Sequence, residues 1–221
     1  MVRDGIYYAL AFTAAGLLVS YMAGPWAGLP LFLVGAFCAY FFRDPERLIP
    51  VGPVAVSPAD GKVVAIVPEP GGVTRISIFL NVFDVHVNRS PVSGVVTDVT
   101  YMKGKFMVAS RELASAENEQ NRVTVRTEDG AKVVFTQITG LIARRIVCWK
   151  KPGDFVQAGE RFGLIKFGSR MDVFLGPEWR IEATVGQRIA AGTSILARRG
   201  GVVELQQVLR APIEEAALCQ T

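Results

Sequence analysis

The Gly168–Ser169 pair is the point in the chain where the residue types by themselves suggest a reaction. It lies in Gly163–Val173, whose apolar residues predict a buried β-hairpin that turns at this pair. Glycine has no Cβ, so its carbonyl can be approached closely and its backbone can hold a strained conformation. If a base removed its proton and donors held the oxyanion, the Ser169 hydroxyl could attack that carbonyl. Elimination from the resulting ester would cut the chain and leave a ketone at Ser169, whereas an ordinary turn is the alternative.

Two further polar residues suggest acid–base chemistry. His86 is the only histidine, and the alternating pattern places it on one face of a predicted strand together with Asn88. Asp60 lies in the segment Ser57–Gly61. Each has an ordinary alternative, as a structural histidine and as an aspartate that initiates a turn. One histidine excludes a multi-histidine metal site, and the three cysteines lack metal or disulfide spacing, so we expect no metal.

A long apolar run at the N-terminus predicts attachment to a membrane. Ile6–Phe42 carries no charge and is longer than the roughly 20 residues of one span. Gly24 and Pro25 divide it in two, which predicts a membrane-anchoring helical hairpin over residues 1–43. A single anchor, or an interfacial hairpin that does not cross, stays open.

The charges around this run predict its orientation. Arg3 precedes the first piece, Arg43 and Arg47 follow the second, and the connection between them is uncharged. The positive-inside rule therefore places both ends in the cytoplasm. Lysines and arginines exceed acidic residues by 24 to 20, and beside a membrane anchor this excess favours anionic lipid over nucleic acid.

The rest of the chain, residues 44–221, has the pattern of a mainly β domain. Short Val- and Ile-rich runs alternate with Gly and Pro, and Asp129–Gly130 predicts a hairpin between Arg122–Thr127 and Ala131–Gln137. Strands are also expected at Val73–Leu80 and Val95–Tyr101, and a short helix or mobile loop, possible cover for the site, at Phe106–Gln120.

Two segment patterns repeat at an offset of 33 residues, which indicates repeated supersecondary units. Pro58–Val63 matches Pro91–Val96, and Gly153–Gly159 matches Gly186–Gly192. The second pattern is that of the turns in biotinyl- and lipoyl-type barrel sandwiches. We therefore expect a barrel-sandwich-hybrid-like domain, with Ser169 between the two copies.

Taken together, three stretches resemble the phosphatidylserine decarboxylase proenzymes of the short branch found in many bacteria and archaea. They are Ser-Pro-Ala-Asp-Gly at 57–61, Asp-Val-His-Val-Asn-Arg-Ser-Pro-Val-Ser-Gly at 84–94 and Phe-Gly-Ser-Arg at 167–170. Asn118–Asn121 is similar to that family's Asn-Glu-Arg-Asn. The order and spacing of the motifs agree over roughly residues 43–200.

This resemblance implies a zymogen that cuts itself between Gly168 and Ser169, into chains 1–168 and 169–221. Ser169 would become a pyruvoyl group, whose ketone is the electron sink for converting phosphatidylserine to phosphatidylethanolamine. The expected location is the cell membrane, with the catalytic domain on the cytoplasmic side and a phospholipid substrate. A homodimer of the cleaved chain pairs is expected from the family.

The resemblance also suggests roles for individual residues. Asp60 matches the aspartate that orients a histidine for self-cleavage. His86 matches the first histidine of the long-branch pattern H-x-x-H-x-P, and Arg89 occupies the place of the second. Either His86 serves both self-cleavage and decarboxylation, or self-cleavage uses another base. Arg89, Asn88 and Arg170 are candidates to bind the substrate.

Three other functions stay open. A membrane-anchored carrier or adaptor would use Lys166 as its cofactor-bearing lysine. A decarboxylase of an archaeal ether-type phosphatidylserine analogue would use the same headgroup chemistry. An inactive scaffold would retain the fold alone, but the presence of Gly168, Ser169, Asp60 and His86 argues against it.

Overall fold

The structure is a computed structural model that describes residues 2–104, 117–140, 145–166 and 169–200. Most of the predicted helix or loop at Phe106–Gln120, and Gly168 itself, lie outside the described residues. The chain begins with two helices, α1 (Arg3–Ala23) and α2 (Pro25–Phe41). The strands that follow are β1 (Val54–Val56), β2 (Gly61–Glu69), β3 (Val73–Leu80), β4 (Val87–Arg89), β5 (Gly94–Met102), β6 (Gln120–Arg126), β7 (Lys132–Thr139), β8 (Arg145–Cys148), β9 (Phe155–Val156), β10 (Arg161–Lys166), β11 (Ser169–Leu175), β12 (Trp179–Ile181), β13 (Arg188–Ile189) and β14 (Ile195–Arg199).

The two helices form the predicted hairpin, which breaks at Gly24, where φ is +93°. They pack closely because small residues face each other: a Cβ on Gly28 would lie 2.0 Å from the Ser20 hydroxyl oxygen. With 21 mostly apolar residues, α1 is long enough to cross a bilayer, whereas the 17 residues of α2 span about 26 Å. The hairpin is therefore confirmed, and two full crossings stay a prediction.

The remainder is mainly β, as predicted, and is organised as three antiparallel sheets. Eight strands form a curled half-barrel in the order β13-β2-β3-β11-β7-β6-β5-β9. Two three-stranded sheets, β1-β14-β12 and β4-β10-β8, pack with it. The core consists of alternate apolar residues of these strands, among them Val63, Ile76, Ile78, Val123, Phe135, Phe162, Met171 and Val173.

The predicted repeat corresponds to paired strands. Gly61 lies opposite Ile189, and Gly94 lies opposite Val156, so each copy of the first pattern pairs with one copy of the second. A Cβ on either glycine would lie 2.2 Å from a carbonyl oxygen of the neighbouring strand, and a side chain there would push that strand away. The two halves of the domain are thus built alike.

The predicted β-hairpin at Gly163–Val173 is wrong, although its residues are buried as expected. β10 pairs with β4 and β8, whereas β11 pairs with β3 and β7 in the large sheet. Each strand already has a neighbour on both sides, so neither offers a free edge to the other. The chain instead passes from one sheet to another between Lys166 and Ser169. The other predicted hairpin, β6–β7, is confirmed.

Candidate active site

Ser169 is the first residue of β11, and the sheet holds its backbone on both sides. Leu80 of β3 and Thr139 of β7 lie opposite it. The residue has no exposed surface, and its hydroxyl oxygen has no hydrogen-bond partner among the residues that the structure describes. A buried polar atom without a partner is costly. The role that the resemblance implies for this hydroxyl stays a prediction.

His86 lies immediately before β4, beside the strand that leads to Ser169. Its carbonyl oxygen accepts a hydrogen bond from the Ile165 N–H at 3.3 Å. Its Nδ1 lies 2.9 Å from the Asp84 carbonyl oxygen, which fixes a proton on Nδ1 and makes Nε2 the basic nitrogen. The Phe41 ring packs on the imidazole, with 4.3 Å between ring centroids.

Burial sets the protonation of this histidine. Its pKa is lowered to about 4, mainly because desolvation disfavours the imidazolium. The nearby Arg43 lowers the pKa further, while the Asp84 carbonyl and the charges of Asp84 and Asp60 raise it. His86 is therefore neutral at physiological pH, in the form that can accept a proton.

Asp60 binds other groups than the imidazole. Its carboxylate accepts hydrogen bonds from Arg47 at 2.8 and 3.0 Å and from the Ala191 N–H at 2.7 Å. It acts on His86 through its charge, and the hydrogen bond that orients the ring is made with the Asp84 carbonyl. The role that the resemblance implies for Asp60 in self-cleavage stays a prediction.

The three candidate substrate-binding residues are all buried. Asn88 lies on β4, two residues after His86. Arg89 donates to the Gly159 carbonyl and to Asp44, and Arg170 donates to Asp172 and Ser77. Because side chains alternate along a strand, Arg170 lies on the opposite face of β11 from Ser169. Both arginines are held within the fold, and substrate binding by either stays a prediction.

The end of the helical hairpin forms one wall of this region. Phe41 covers His86, and the next residues bind the turns around it: Arg43 donates to the Phe83 carbonyl at 2.6 Å, and Arg47 binds Asp60. Lys166, the lysine that a carrier would modify, is buried and paired with Asp4 at 2.9 Å. The helical hairpin is thus joined to the site at several points.

Two residues near the site were not predicted from the sequence. Phe41 ends the apolar run, and nothing in that run distinguishes it from residues that face lipid. Gln137 lies on the core face of β7 and donates to the Asn88 side-chain oxygen at 2.9 Å. A signal for Gln137 was present, because it continues the buried alternation of Val133 and Phe135 with a polar residue.

Two other features of the described residues lie apart from this chemistry. Within 2–104, 117–140, 145–166 and 169–200, no group of three metal-ligating side chains is close enough to hold an ion. A groove of about 630 Å³ lies at the far end of β11, lined by Phe174, Gly176 and Arg122 among others. At about 3.3 Å per residue, it is roughly 20 Å from Ser169 along the strand.

Comparison with known proteins gives a consistent result. The phosphatidylserine decarboxylase family model matches residues 34–197, a range that includes Asp60, His86 and Ser169. A phosphatidylserine decarboxylase proenzyme of Solibacter usitatus (strain Ellin6076) is 65% identical over 199 residues, which are 90% of this chain and 97% of that protein. A second one, of Syntrophus aciditrophicus (strain SB), is 45% identical over 206 residues, 89% of this chain and 96% of that protein.

Proposed function

Because the chain belongs to the phosphatidylserine decarboxylase family, we propose that it converts phosphatidylserine to phosphatidylethanolamine and carbon dioxide. The catalytic group is a pyruvoyl group formed from Ser169. The observation that carries this assignment is the buried Ser169 hydroxyl, which lacks a partner among the described residues at the start of β11. Self-cleavage requires this hydroxyl as its nucleophile.

Self-cleavage begins when the Ser169 hydroxyl loses its proton to a base and adds to the carbonyl carbon of Gly168. The resulting oxyanion collapses, the C–N bond breaks and the nitrogen takes up a proton, so that an ester replaces the amide. Loss of the Ser169 Cα proton then breaks the ester C–O bond. The products are the Gly168 carboxylate, which ends chain 1–168, and a dehydroalanine at position 169. Water converts the latter to a ketone and releases ammonia.

Once formed at position 169, the ketone would supply the electron sink for loss of carbon dioxide from the lipid headgroup. The surroundings of Ser169 fit such a group, because the site is closed to solvent and held on both sides by β3 and β7. Exclusion of water would favour loss of a carboxylate and would leave protonation to a group of the protein. The protein must then supply one proton at a defined position.

His86 is our candidate for the proton transfers of both steps. It is neutral at physiological pH, so it can take the Ser169 proton, and the same imidazole can return a proton after decarboxylation. Its ring is held by the Asp84 carbonyl and the Phe41 ring. Asp60 supports the imidazolium that forms in between through its negative charge.

The helical hairpin over residues 1–43 anchors the enzyme, and residues 44–221 form the decarboxylase domain on the cytoplasmic side of the cell membrane. Arg3, Arg43 and Arg47 flank the hairpin on one side, which supports this orientation. Chains 1–168 and 169–221 remain associated, because β11 pairs with two strands of the larger chain. The functional unit is a homodimer of these pairs.

Release of carbon dioxide from carboxyl-labelled phosphatidylserine in mixed micelles tests this function. The purified protein should release label and form phosphatidylethanolamine, and Ser169→Ala should do neither. Equal label release by the wild type and Ser169→Ala would contradict a catalytic group derived from this residue. A self-cleaved wild type that leaves phosphatidylserine unchanged would contradict the substrate but not the cleavage.

A further inference from the structure

Three buried side-chain amides form a continuous chain next to Ser169. The Asn121 NH₂ group donates to the Gln137 side-chain oxygen at 3.0 Å, and the Gln137 NH₂ group donates to the Asn88 side-chain oxygen at 2.9 Å. None of the three residues is more than 2% exposed. The chain crosses between sheets, since Asn121 and Gln137 lie in the large sheet and Asn88 in the β4-β10-β8 sheet.

A backbone carbonyl fixes the direction of the hydrogen bonds between the three amides. The Gln137 NH₂ group also faces the Val147 carbonyl oxygen at 3.4 Å, and a carbonyl can only accept. The nitrogen of Gln137 therefore lies on the side of Asn88, and Asn88 must present its oxygen to it. As a result, the NH₂ group of Asn88 points away from Gln137 and can donate a hydrogen bond.

That NH₂ group is buried and has no acceptor among the described residues. A buried donor without a partner is costly, and a rotation of the amide is blocked because it would set two NH₂ groups against each other. The arrangement thus holds a hydrogen-bond donor for which the described residues supply no acceptor.

The large sheet brings this donor to the side of Ser169. Ser169 lies opposite Thr139, and Met171 lies opposite Gln137, so Ser169 and Gln137 are diagonal neighbours on one face of the sheet. Such neighbours are about 7–8 Å apart between backbones, which side chains bridge. Asn88, in contact with Gln137, therefore lies on the same side of the large sheet as Ser169.

We propose that Asn88 is a catalytic residue of self-cleavage. Its NH₂ group donates a hydrogen bond to the oxyanion that forms when the Ser169 hydroxyl adds to the preceding carbonyl, and no proton is transferred in this contact. Gln137 and Asn121 are positioning residues, which hold the donor in that direction. The inference rests on the proposed self-cleavage and adds to it a role for three neutral residues.

Gln137→Glu tests the positioning role, because it keeps the shape and makes the donor depend on pH. The carboxylate introduced by this substitution has no hydrogen to give to Asn88, so Asn88 is released to rotate. Loss of one oxyanion donor slows such reactions by about 10²–10³. We expect cleavage of newly made chain to slow by about this factor at pH 7.5. Below the pKa of the new carboxyl group, which burial raises, the O–H donor returns and cleavage should recover.

Two controls separate this role from a structural one. Gln157→Glu makes the same change of charge on the surface, and it should cleave normally. Thermal midpoints at each pH show whether slow cleavage follows lost stability, which would assign Gln137 to folding and overturn the proposal. His86 stays neutral down to about pH 4, so it does not titrate between pH 5 and 7.5.

Asn88→Asp provides a second variant, which replaces the donor by an acceptor of the same shape. It should slow cleavage at pH 7.5 by a similar factor. Normal cleavage of either variant at pH 7.5, with the wild type cleaving as well, would overturn the role of the amide chain. An uncut wild type in the same experiment would contradict the proposed function instead.

Discussion

In each of the two repeats of the β domain, a side-chain oxygen accepts a hydrogen bond from a backbone N–H at the equivalent turn. Only one of these two oxygens belongs to a charged side chain. In one repeat, the Ala191 N–H donates to Asp60 at 2.7 Å; in the other, the Ala158 N–H donates to Ser93 at 2.9 Å. Asp60 and Ser93 occupy equivalent positions, 33 residues apart. The turn therefore needs an oxygen acceptor at this position, and a serine suffices. The charge of Asp60 exceeds what the turn requires.

The same comparison applies to His86. Its equivalent is Pro53, and both carbonyl oxygens accept a backbone N–H, from Ile165 at 3.3 Å and from Arg199 at 2.9 Å. The backbone contact is thus available from a residue without a titratable side chain. Pro53 lines an open groove of about 270 Å³, whereas His86 is covered by Phe41. The two repeats share these backbone contacts, and the proposed function places acid–base chemistry in only one of them.

Replacing His86 gives the largest expected loss, because it removes the imidazole and leaves the shared backbone contact. In His86→Ala, self-cleavage of newly made chain should slow by about 10²–10⁴. Cleavage must be followed in time by pulse labelling, since a single-turnover reaction can finish during hours of expression. Any cleaved fraction should also decarboxylate poorly.

Normal cleavage with failed decarboxylation in His86→Ala would assign self-cleavage to another base. Wild-type rates of both reactions would show that His86, like Pro53, is an ordinary residue next to a strand.

Exchanging the residues at the equivalent turn positions should have a smaller effect. Asp60→Ser keeps an acceptor for the Ala191 N–H and removes the charge that raises the pKa of His86. A less basic imidazole is a weaker base, so cleavage should slow, but by less than in His86→Ala. The thermal midpoint should also fall, because Arg47 loses its carboxylate partner. The reciprocal variant, Ser93→Asp, should cleave at the wild-type rate. If Asp60→Ser also does, Asp60 is only a turn residue.

Uncovering His86 should have the smallest effect at neutral pH. In Phe41→Ala the imidazole gains water, so its pKa should rise from about 4 toward the ordinary 6.5. Asp84 and Asp60 support this rise, whereas Arg43 opposes it. Because the base works only when neutral, the acid limit of cleavage should move up by the same interval. Cleavage should fall about tenfold at about pH 5.5 and change little at about pH 7.5.

The rate profile of Phe41→Ala is to be compared with that of Phe41→Leu, which retains most of the cover. An unchanged acid limit in Phe41→Ala would show that the ring does not control His86.

Much of the fold could be predicted from the sequence because its patterns are local. The apolar run, Gly24, the Asp129–Gly130 turn and the repeated glycines each specify structure within a few residues, and the structure confirms them. The path of β10 and β11 could not be predicted in this way. Their partners β4, β8, β3 and β7 are distant in sequence, and an apolar run does not tell a hairpin from two strands of different sheets.

The residues of the candidate site also differ in whether the sequence could indicate them. Ser169, His86 and Asp60 stand in motifs that resemble a known family, and this resemblance indicated them as candidates. No motif indicated Phe41 and Gln137, because they reach the site through tertiary packing. The hydrogen bond that holds the imidazole is accepted by the backbone oxygen of Asp84, two residues away, which no side-chain motif can indicate.

Intact-protein mass spectrometry of the purified chain tests the central claim most directly. The wild type should give two chains, 1–168 and 169–221, the second with a ketone in place of its N-terminal amine. Ser169→Ala, which lacks the nucleophile, should give one uncut chain of 221 residues. A wild type that is a single intact chain and decarboxylates phosphatidylserine at full rate would contradict a catalytic group made from Ser169.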